Sequence, residues 1–321
     1  MIPLHVGVLG CSSFARRAMI PALVQSGVAQ CVAVASRSHE KAAETAAPFG
    51  AEAVCGYERL IERADIDAIY VPLPTGLHAE WCTRALEAGK HLLVEKTFAS
   101  NAAEAAAMLA LARRQNLLVM ENFQFQTHSQ WSRFRSFMDS GEIGHVHLVR
   151  STFGFPPLPR ENFRWNAALG GGALLDTGAY MAKVSQLLLG PDLEVRGASA
   201  IMDAATGVDS HGEAQFRNAR GQVAQVAWGF DYFYQCRAEL LGTKGKVSLG
   251  RVFTAPPDFA PVLCIETPEG VRNETLPADN HYINMWRRFA GAIANGDHAA
   301  HWDAIESQAR LLDAIRAAVR A

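Results

Sequence analysis

The stretch KHLLVEK, residues 90–96, decides how the rest of the chain is interpreted. Its apolar residues Leu92 to Val94 predict a short buried strand, which stops abruptly at the charged residues Glu95 and Lys96. In an open parallel sheet, ligands bind in the crevice outside the carboxyl ends of the strands. A lysine that directly follows such a strand is therefore placed for chemistry.

Short apolar runs alternate with segments of helical periodicity over the first 123 residues. The strand-like runs are His5–Leu9, Cys31–Ala35, Asp67–Val71, the run before Lys96 and Leu117–Glu121. Strands that alternate with helices predict a parallel sheet with right-handed crossovers. This arrangement is the doubly wound, dinucleotide-binding architecture of the Rossmann fold.

The pattern changes in the C-terminal part, where strand-like runs follow one another with few helices between them. These runs are His145–Thr152, Glu194–Met202, Glu213–Phe216, Gln222–Phe230, Arg237–Gly242 and Lys246–Leu249. They predict an antiparallel sheet with one face covered and the other available to a partner subunit, in a homodimer or homotetramer. We assign residues 1–123 to a dinucleotide-binding domain and residues 124–321 to a substrate-binding and oligomerisation domain.

The composition limits the class of partner. A formal net charge of −2 over 321 residues argues against nucleic acid, so a small-molecule substrate is expected. The six cysteines are scattered, which favours a reducing cytoplasm. No run of about 18 apolar residues occurs, so no membrane partner is expected. His145 and His147 lack a third ligand at a suitable spacing, and no metal site is predicted.

The first strand-to-helix turn carries part of a dinucleotide fingerprint. Gly-x-Gly-x-x-Gly is the full pattern, and Gly10, Ser12 and Ala15 occupy its three glycine positions. Serine and alanine are small enough to let the backbone approach a pyrophosphate. An ordinary turn is the alternative. In the dinucleotide interpretation, Gly10, Ser12, Ser13 and Phe14 bind the cofactor.

The second turn indicates which nicotinamide cofactor is used. NAD-binding folds usually place an acidic residue at the end of the second strand, where it binds the ribose 2′-hydroxyl. Ser36 and Arg37 stand there instead. A carboxylate would repel a 2′-phosphate, whereas a hydroxyl and a guanidinium can bind it. NADP(H) is therefore favoured over NAD(H), with a solvated loop arginine as the alternative.

The ordered set of motifs resembles the Gfo/Idh/MocA oxidoreductase family. The motifs that carry the resemblance are Gly7–Gly10, Pro74–His78, Ala85–His91, Val94–Lys96, Gly141–Gly144 and Gly170–Gly178. The resemblance implies a Rossmann domain joined to a second α/β domain built on an open, mainly antiparallel sheet. It also implies hydride transfer at a sugar or polyol carbon.

The resemblance also implies the site residues. The family's Glu-Lys-Pro lysine falls on Lys96, and its closely spaced Asp and His fall on Asp176 and Tyr180. Thr97 replaces the usual proline. The implied roles are polarisation of a carbonyl by Lys96, proton donation by Tyr180, and orientation of Lys96 or substrate by Asp176. A helix cap at Asp176 and a core role for Tyr180 are the alternatives. The predicted cofactor-binding set is Gly10, Ser12, Ser13, Phe14, Ser36, Arg37, Leu73, His78, Glu95 and Lys96.

A tyrosine at position 180 and the runs 121–125, 155–159 and 163–165 resemble the nucleotide-sugar 3-ketoreductase branch of that family. Phe155, Arg164 and Trp165 become candidate substrate contacts, with surface roles as the alternative. We expect NADP(H)-dependent reduction of a keto group on a nucleotide-linked sugar. A dehydrogenase of a free sugar, cyclitol or dihydrodiol is one alternative, and a non-catalytic dinucleotide-sensing regulator is another.

Overall fold

The computed structural model describes residues 3–320, which group into two compact units. The first unit comprises the chain up to Phe123 together with Tyr282–Glu306. The second comprises Gln124–His281 and the chain from Ser307 onward. From the sequence we expected a single boundary after residue 123. In the structure, Tyr282–Glu306 also belongs to the first unit, although it lies in the C-terminal part of the chain.

The first unit is built on a six-stranded parallel sheet. Its strands are β1 (Leu4–Leu9), β2 (Ala29–Ser36), β3 (Glu52–Cys55), β4 (Ala68–Val71), β5 (His91–Glu95) and β6 (Val119–Asn122). The helices between them are α1 (Ile20–Gln25), α2 (His39–Ala46), α3 (Tyr57–Ile61), α4 (His78–Glu87) and α5 (Ala102–Gln115). The order β3-β2-β1-β4-β5-β6 confirms the predicted doubly wound sheet. Its winding reverses between β1 and β4, where such sheets bind ligands.

The second unit is built on an eight-stranded sheet. Its helices are α6 (Ser129–Ser136) and α7 (Ala179–Leu189). Its strands are β7 (Val146–Gly154), β8 (Glu194–Met202), β9 (Asp209–Arg217), β10 (Val223–Gly229), β11 (Gln235–Gly242), β12 (Lys246–Gly250), β13 (Val262–Thr267) and β14 (Gly270–Thr275). The order is β14-β13-β12-β11-β7-β10-β9-β8, and β7 and β10 form a parallel pair in an otherwise antiparallel sheet. The expected mainly antiparallel sheet is confirmed.

Helix α8 (His281–Asn295) explains why part of the C-terminal chain belongs to the first unit. Its fully buried Trp286 lies in the same apolar core as β1 and β4. The indole Nε1–H donates a hydrogen bond to the Met19 carbonyl (2.9 Å), and the ring packs edge-on against Tyr70 at 5.7 Å. The last helix, α9 (Ala299–Arg320), contributes residues to both units.

The two faces of the second sheet have different surroundings. On β10, Val226 and Trp228 are buried on the face that packs against α7, whereas Gln225 and Ala227 point to the opposite face. The period of two is the one expected for a sheet with one covered face. The opposite face forms a groove of about 960 Å³, lined by side chains of β7 to β12.

Asp209, the first residue of β9, fixes the segment that precedes α7. Its Oδ2 accepts hydrogen bonds from the Leu174 backbone N–H (2.7 Å) and from the Trp228 indole N–H (3.2 Å). Gly172 has a φ of +113°, and a Cβ there would overlap Asp209 Oδ1, so this position requires glycine. Burial raises the pKa of the Asp209 carboxyl, although both hydrogen bonds oppose the shift. The helical turn Leu174–Gly178 is therefore held by a buried carboxyl group from a distant strand.

Replacing Asp209 with alanine is expected to lower the free energy of unfolding by about 1–3 kcal/mol, because two buried N–H groups lose their acceptor. Asp209→Asn retains a carbonyl oxygen and should lose less. Urea denaturation followed by tryptophan fluorescence measures both. Asp192→Ala, at an exposed position, is the matched control and should stay within about 0.5 kcal/mol of the wild type. An Asp209→Ala protein as stable as the wild type would contradict the anchoring role.

Candidate active site

The turn after β1 in the first unit has the shape that a dinucleotide needs. Gly10 has a φ of +124°, and a Cβ there would lie 2.9 Å from Leu73 Cδ2, so a side chain at this position is excluded. The Gly10 N–H donates to the Ala35 carbonyl (3.0 Å), which ties the turn to the end of β2. The structure thus brings together two residues of the predicted cofactor set, Gly10 and Leu73.

The next three residues of the predicted set start a helical segment. Ser12 Oγ accepts a hydrogen bond from the Ala15 N–H (3.1 Å), Ser13 is exposed, and the Phe14 ring packs edge-on against Tyr282 at 5.8 Å. The segment Ala15–Met19 is π-helical and leads into α1. The first backbone N–H groups of a helix have no partner within the helix and suit a phosphate, so this turn fits the pyrophosphate of a dinucleotide.

Ser36 and Arg37 lie at the carboxyl end of β2. Ser36 is buried, and its Oγ accepts a hydrogen bond from the Ser38 N–H (3.3 Å). Arg37 is exposed. Burial raises the pKa of the Tyr57 phenol, and the positive charge of Arg37 partly offsets this shift. The arginine is accessible to a ligand at the end of the second strand.

Glu95, the last residue of β5, is hydrogen-bonded by residues of both neighbouring strands. Its Oε1 accepts from the Tyr70 hydroxyl (2.7 Å) on β4 and from the Asn122 amide (2.6 Å) on β6. Burial raises the pKa of the Glu95 carboxyl, while these two donors and the Lys96 charge oppose the shift. Neither Tyr70 nor Asn122 was singled out in the sequence, since nothing in its local pattern marks a pairing across three strands.

His78 holds the backbone around the candidate lysine. The imidazole is fully buried, with Nε2 2.8 Å from the Leu73 carbonyl and Nδ1 3.1 Å from the carbonyls of both Thr97 and Phe98. Burial lowers the pKa of this imidazole more than the three carbonyls raise it. His78 therefore links the loop after β4 to the segment that follows Lys96, instead of standing free in the crevice.

Glu121 supports the same segment. Its Oε1 accepts a hydrogen bond from the Phe98 N–H (2.9 Å), and the peptide between Lys96 and Thr97 is cis. Lys96 itself is half-buried and directly follows β5. The candidate lysine thus extends from a backbone segment that two buried polar side chains hold in place.

In the second unit, the structure brings together Asp176, Tyr180 and Arg164. Asp176 lies in the turn that leads into α7, and Tyr180 lies in the first turn of that helix. The Arg164 Nε–H donates a hydrogen bond to Asp176 Oδ2. Burial lowers the pKa of the Arg164 guanidinium, but the nearby Asp176 carboxylate raises it by more, so the pKa is raised overall. Tyr180 makes a smaller contribution in the same direction as Asp176. Asp176 is thus the counter-ion of a partly buried arginine, one turn before Tyr180.

Tyr180 lies in a cage of aromatic side chains. Its ring is 6% exposed and lies 5.9 Å from Phe125, 5.1 Å from Phe153 and 5.2 Å from Phe253, centroid to centroid. These three phenylalanines come from distant parts of the chain, and sequence reasoning missed their common neighbourhood. The cage excludes water from most of the phenol ring.

The remaining predicted substrate contacts differ in their surroundings. The Phe155 ring stacks on Phe230 at 5.2 Å and lies 5.9 Å from the Arg164 guanidinium. Trp165 is 6% exposed, its ring packs edge-on against Phe230 at 5.5 Å, and its Nε1–H donates to the Leu158 carbonyl (3.3 Å). Such burial favours a packing role for Trp165, while its contact with substrate stays a prediction.

Residues 3–320 contain neither a candidate metal site nor a helix that could span a membrane. No group of three or more His, Cys, Asp or Glu side chains in this range has an arrangement that could hold a metal ion. Among the same residues, no helix has the length and apolar character required to cross a bilayer.

Comparison with known proteins identifies relatives along the whole chain. The pattern of the Gfo/Idh/MocA oxidoreductase family with an NAD-binding Rossmann fold matches residues 4–123, and the pattern of the Gfo/Idh/MocA C-terminal domain matches residues 131–248. A dTDP-3,4-didehydro-2,6-dideoxy-alpha-D-glucose 3-reductase from Saccharopolyspora spinosa is 44% identical, over 99% of this chain and 98% of the relative. The enzyme of the same name from Streptomyces violaceoruber is 41% identical, over 98% of this chain and 95% of the relative.

A solved structure shows the same architecture. KijD10, a 3-ketoreductase from Actinomadura kijaniata crystallised with NADP and TDP-benzene, superposes with a TM-score of 0.95 at 39% identity and 98% coverage of both chains. Both domains are therefore shared with oxidoreductases along nearly their full length. The chain belongs to the Gfo/Idh/MocA family of oxidoreductases.

Proposed function

We propose that this oxidoreductase uses NADPH to reduce a keto group on a dTDP-linked sugar. The observation that carries the proposal is similarity over at least 98% of the chain to relatives named as 3-reductases of such a sugar. A ketone reduction requires a positive charge and a proton donor, and both are present. The first unit provides Lys96, and the second provides Tyr180 with the Arg164–Asp176 pair.

The first unit holds the cofactor in this proposal. NADPH supplies the hydride when bound. The turn after β1, where the positive φ of Gly10 requires glycine, receives the pyrophosphate, and the backbone N–H groups that follow bind it. The accessible Arg37 guanidinium pairs with the 2′-phosphate, and the hydroxyl of Ser36 lies next to it in sequence.

Two side chains act on the carbonyl oxygen, one by stabilising its negative charge and the other by donating a proton. As hydride reaches the carbon, negative charge develops on the oxygen, and the Lys96 ammonium stabilises it. A phenol is protonated at neutral pH, so Tyr180 donates its proton to that oxygen. The phenolate left behind is stabilised by the nearby Arg164 guanidinium, which Asp176 holds in position.

The second unit also provides an assembly surface in this proposal. The groove face of its sheet carries paired opposite charges, Arg150 with Glu239 (3.6 Å) and Lys246 with Glu266 (2.8 Å), beside small and apolar residues such as Ala227. A surface that contains both signs of charge can pair with a second copy of itself about a two-fold axis. We propose that the protein forms a homo-oligomer through this face.

Loss of either catalytic group should lower the turnover of a TDP-linked ketosugar by about 10²–10⁴-fold in an NADPH-oxidation assay. The variants are Tyr180→Phe, which removes only the phenol oxygen, and Lys96→Met, which keeps the side-chain length. Exposed Lys244→Met is the matched control and should retain activity. Full turnover by either Tyr180→Phe or Lys96→Met would remove that residue from the mechanism.

The same assay separates the three functions. Turnover of TDP-linked but not free ketosugars supports the proposal. Oxidation of a free sugar, cyclitol or dihydrodiol alone would show a dehydrogenase of unlinked substrates. NADPH binding without turnover of any substrate in the panel would favour a dinucleotide-sensing regulator.

Arg37→Ala should raise the KM for NADPH by about 10–100-fold and leave the KM for NADH nearly unchanged, because only NADPH carries the 2′-phosphate. Steady-state kinetics with both cofactors measures the change. Arg114→Ala, at the exposed end of α5, is the control and should affect neither cofactor. An unchanged preference in Arg37→Ala would show that Arg37 is a solvated loop residue.

Ala227→Arg should reduce the molecular mass in solution measured by light scattering, because a bulky charge is placed in the centre of the groove face. Ala103→Arg, on the exposed side of α5, should leave the mass unchanged. Circular dichroism checks that both variants are folded. A wild-type protein with the mass of one chain would disprove the proposed assembly.

A further inference from the structure

A group of aromatic and charged residues near the Tyr180 cage takes no part in the chemistry proposed above. We name it the aromatic rim, and it lies in the second unit where the chain leaves β7, β10 and β12. Its members are Phe155, Tyr232, Phe233, Tyr234, Arg251 and Phe259.

The parallel pairing of β7 and β10 brings two parts of the rim together. Gly154 and Gly229 are register partners at the carboxyl ends of these strands. The Phe155 N–H donates to the Gly229 carbonyl (3.3 Å), and the Tyr232 N–H donates to the Phe155 carbonyl (3.1 Å). A Cβ on Gly154 would lie 2.5 Å from Tyr232 Cδ2. The turn that carries Tyr232 can therefore approach β7 this closely only because residue 154 is glycine. The turn after β10 is thus fixed against Phe155.

Arg251 supplies the cation of the rim. Its guanidinium lies 5.5 Å from the Tyr234 ring centre and 5.8 Å from that of Phe259, within cation–π distance of both. The Tyr234 hydroxyl is in turn 2.5 Å from Thr254 Oγ1. Two residues after Arg251, Phe253 contacts Tyr180. An exposed arginine is therefore oriented by aromatic rings close to the proposed proton donor.

The backbone of the rim contains two unusual conformations. Asp231 has a φ of +70° and Arg251 a φ of +48°, values that non-glycine residues rarely adopt. Such conformations persist only where the surrounding structure enforces them, and they cluster at ligand-binding sites. Both occur here at turns that present rim side chains.

Phe233 is the most exposed of the large apolar side chains in the described part of the chain, at 88%. It lies between Tyr232 and Tyr234 on the turn that packs against Phe155. An aromatic ring left in water suggests a ligand that covers it. A nucleobase is a natural partner, because every base has a flat face that stacks on an aromatic ring.

We propose that the aromatic rim binds the nucleotide half of the substrate, with Arg251 on the diphosphate and Phe233 stacked on the thymine base. The inference rests on the proposed function, since it requires a nucleotide-linked sugar. Arginine suits the diphosphate because its planar donors match phosphate oxygens. The sugar ring, attached to that diphosphate, then lies on the Tyr180 side of the rim.

Calorimetric titration of the full chain with thymidine diphosphate tests this assignment. Arg251→Gln and Phe233→Ala should each weaken the Kd for thymidine diphosphate by about tenfold or more. Thymidine alone should lose affinity only in Phe233→Ala, and inorganic pyrophosphate only in Arg251→Gln. Exposed Arg220→Gln and Val271→Ala are the matched controls, and all four variants should bind NADPH as the wild type does.

The outcomes distinguish this inference from the proposed function. If the wild type binds thymidine diphosphate and both rim variants bind it equally well, the rim assignment is wrong. The proposed function is then unaffected. A wild-type protein that binds no thymidine diphosphate would overturn the nucleotide-linked substrate and the rim together. If Phe233→Ala changes only the oligomeric mass, Phe233 belongs to an interface between copies and the assignment is wrong.

Discussion

A carboxyl group buried at the end of a strand must be hydrogen-bonded, and the first unit is arranged around that constraint at Glu95. Its donors, Tyr70 and Asn122, come from the strands on either side of β5, so one carboxyl group joins three strands at the sheet edge where ligands bind. Lys96 follows immediately. The position of a flexible ammonium group thus depends on a neighbour whose carboxyl group is hydrogen-bonded to two other strands, and His78 and Glu121 hold the backbone on its other side.

The second unit uses the same principle with different elements. Asp209 on β9 accepts the Leu174 N–H at the start of the helical turn and the Trp228 indole N–H from β10. The turn it anchors carries Asp176, whose charge is matched by Arg164, and then continues into the helix of Tyr180. In both units a partly buried acidic side chain, Glu95 or Asp209, joins separate elements of the fold close to a residue of the proposed chemistry.

Much of the fold follows from local sequence pattern. Alternating strand and helix periodicity predicted the parallel sheet, and the later succession of strand-like runs predicted the mainly antiparallel one. The partners Tyr70, Asn122, Asp209 and Arg164 could not be paired with these residues in advance, because the contacts join positions far apart in sequence or across a loop of unknown path. Helix α8 shows the same limit: its apolar stripe marks an amphipathic helix, but only the structure shows which sheet Trp286 covers.

The parallel pairing of β7 with β10 determines where the loops that follow these two strands lie. Strands that run in the same direction release their loops at one end of the sheet, here after Gly154 and Gly229. Most residues of these loops stand outside the hydrogen-bond ladder and can vary without disturbing it, except where Phe155 and Tyr232 tie the two turns together. The sheet can therefore accommodate different surface loops here, while the helix that carries Tyr180 and its anchor on β9 remain as they are.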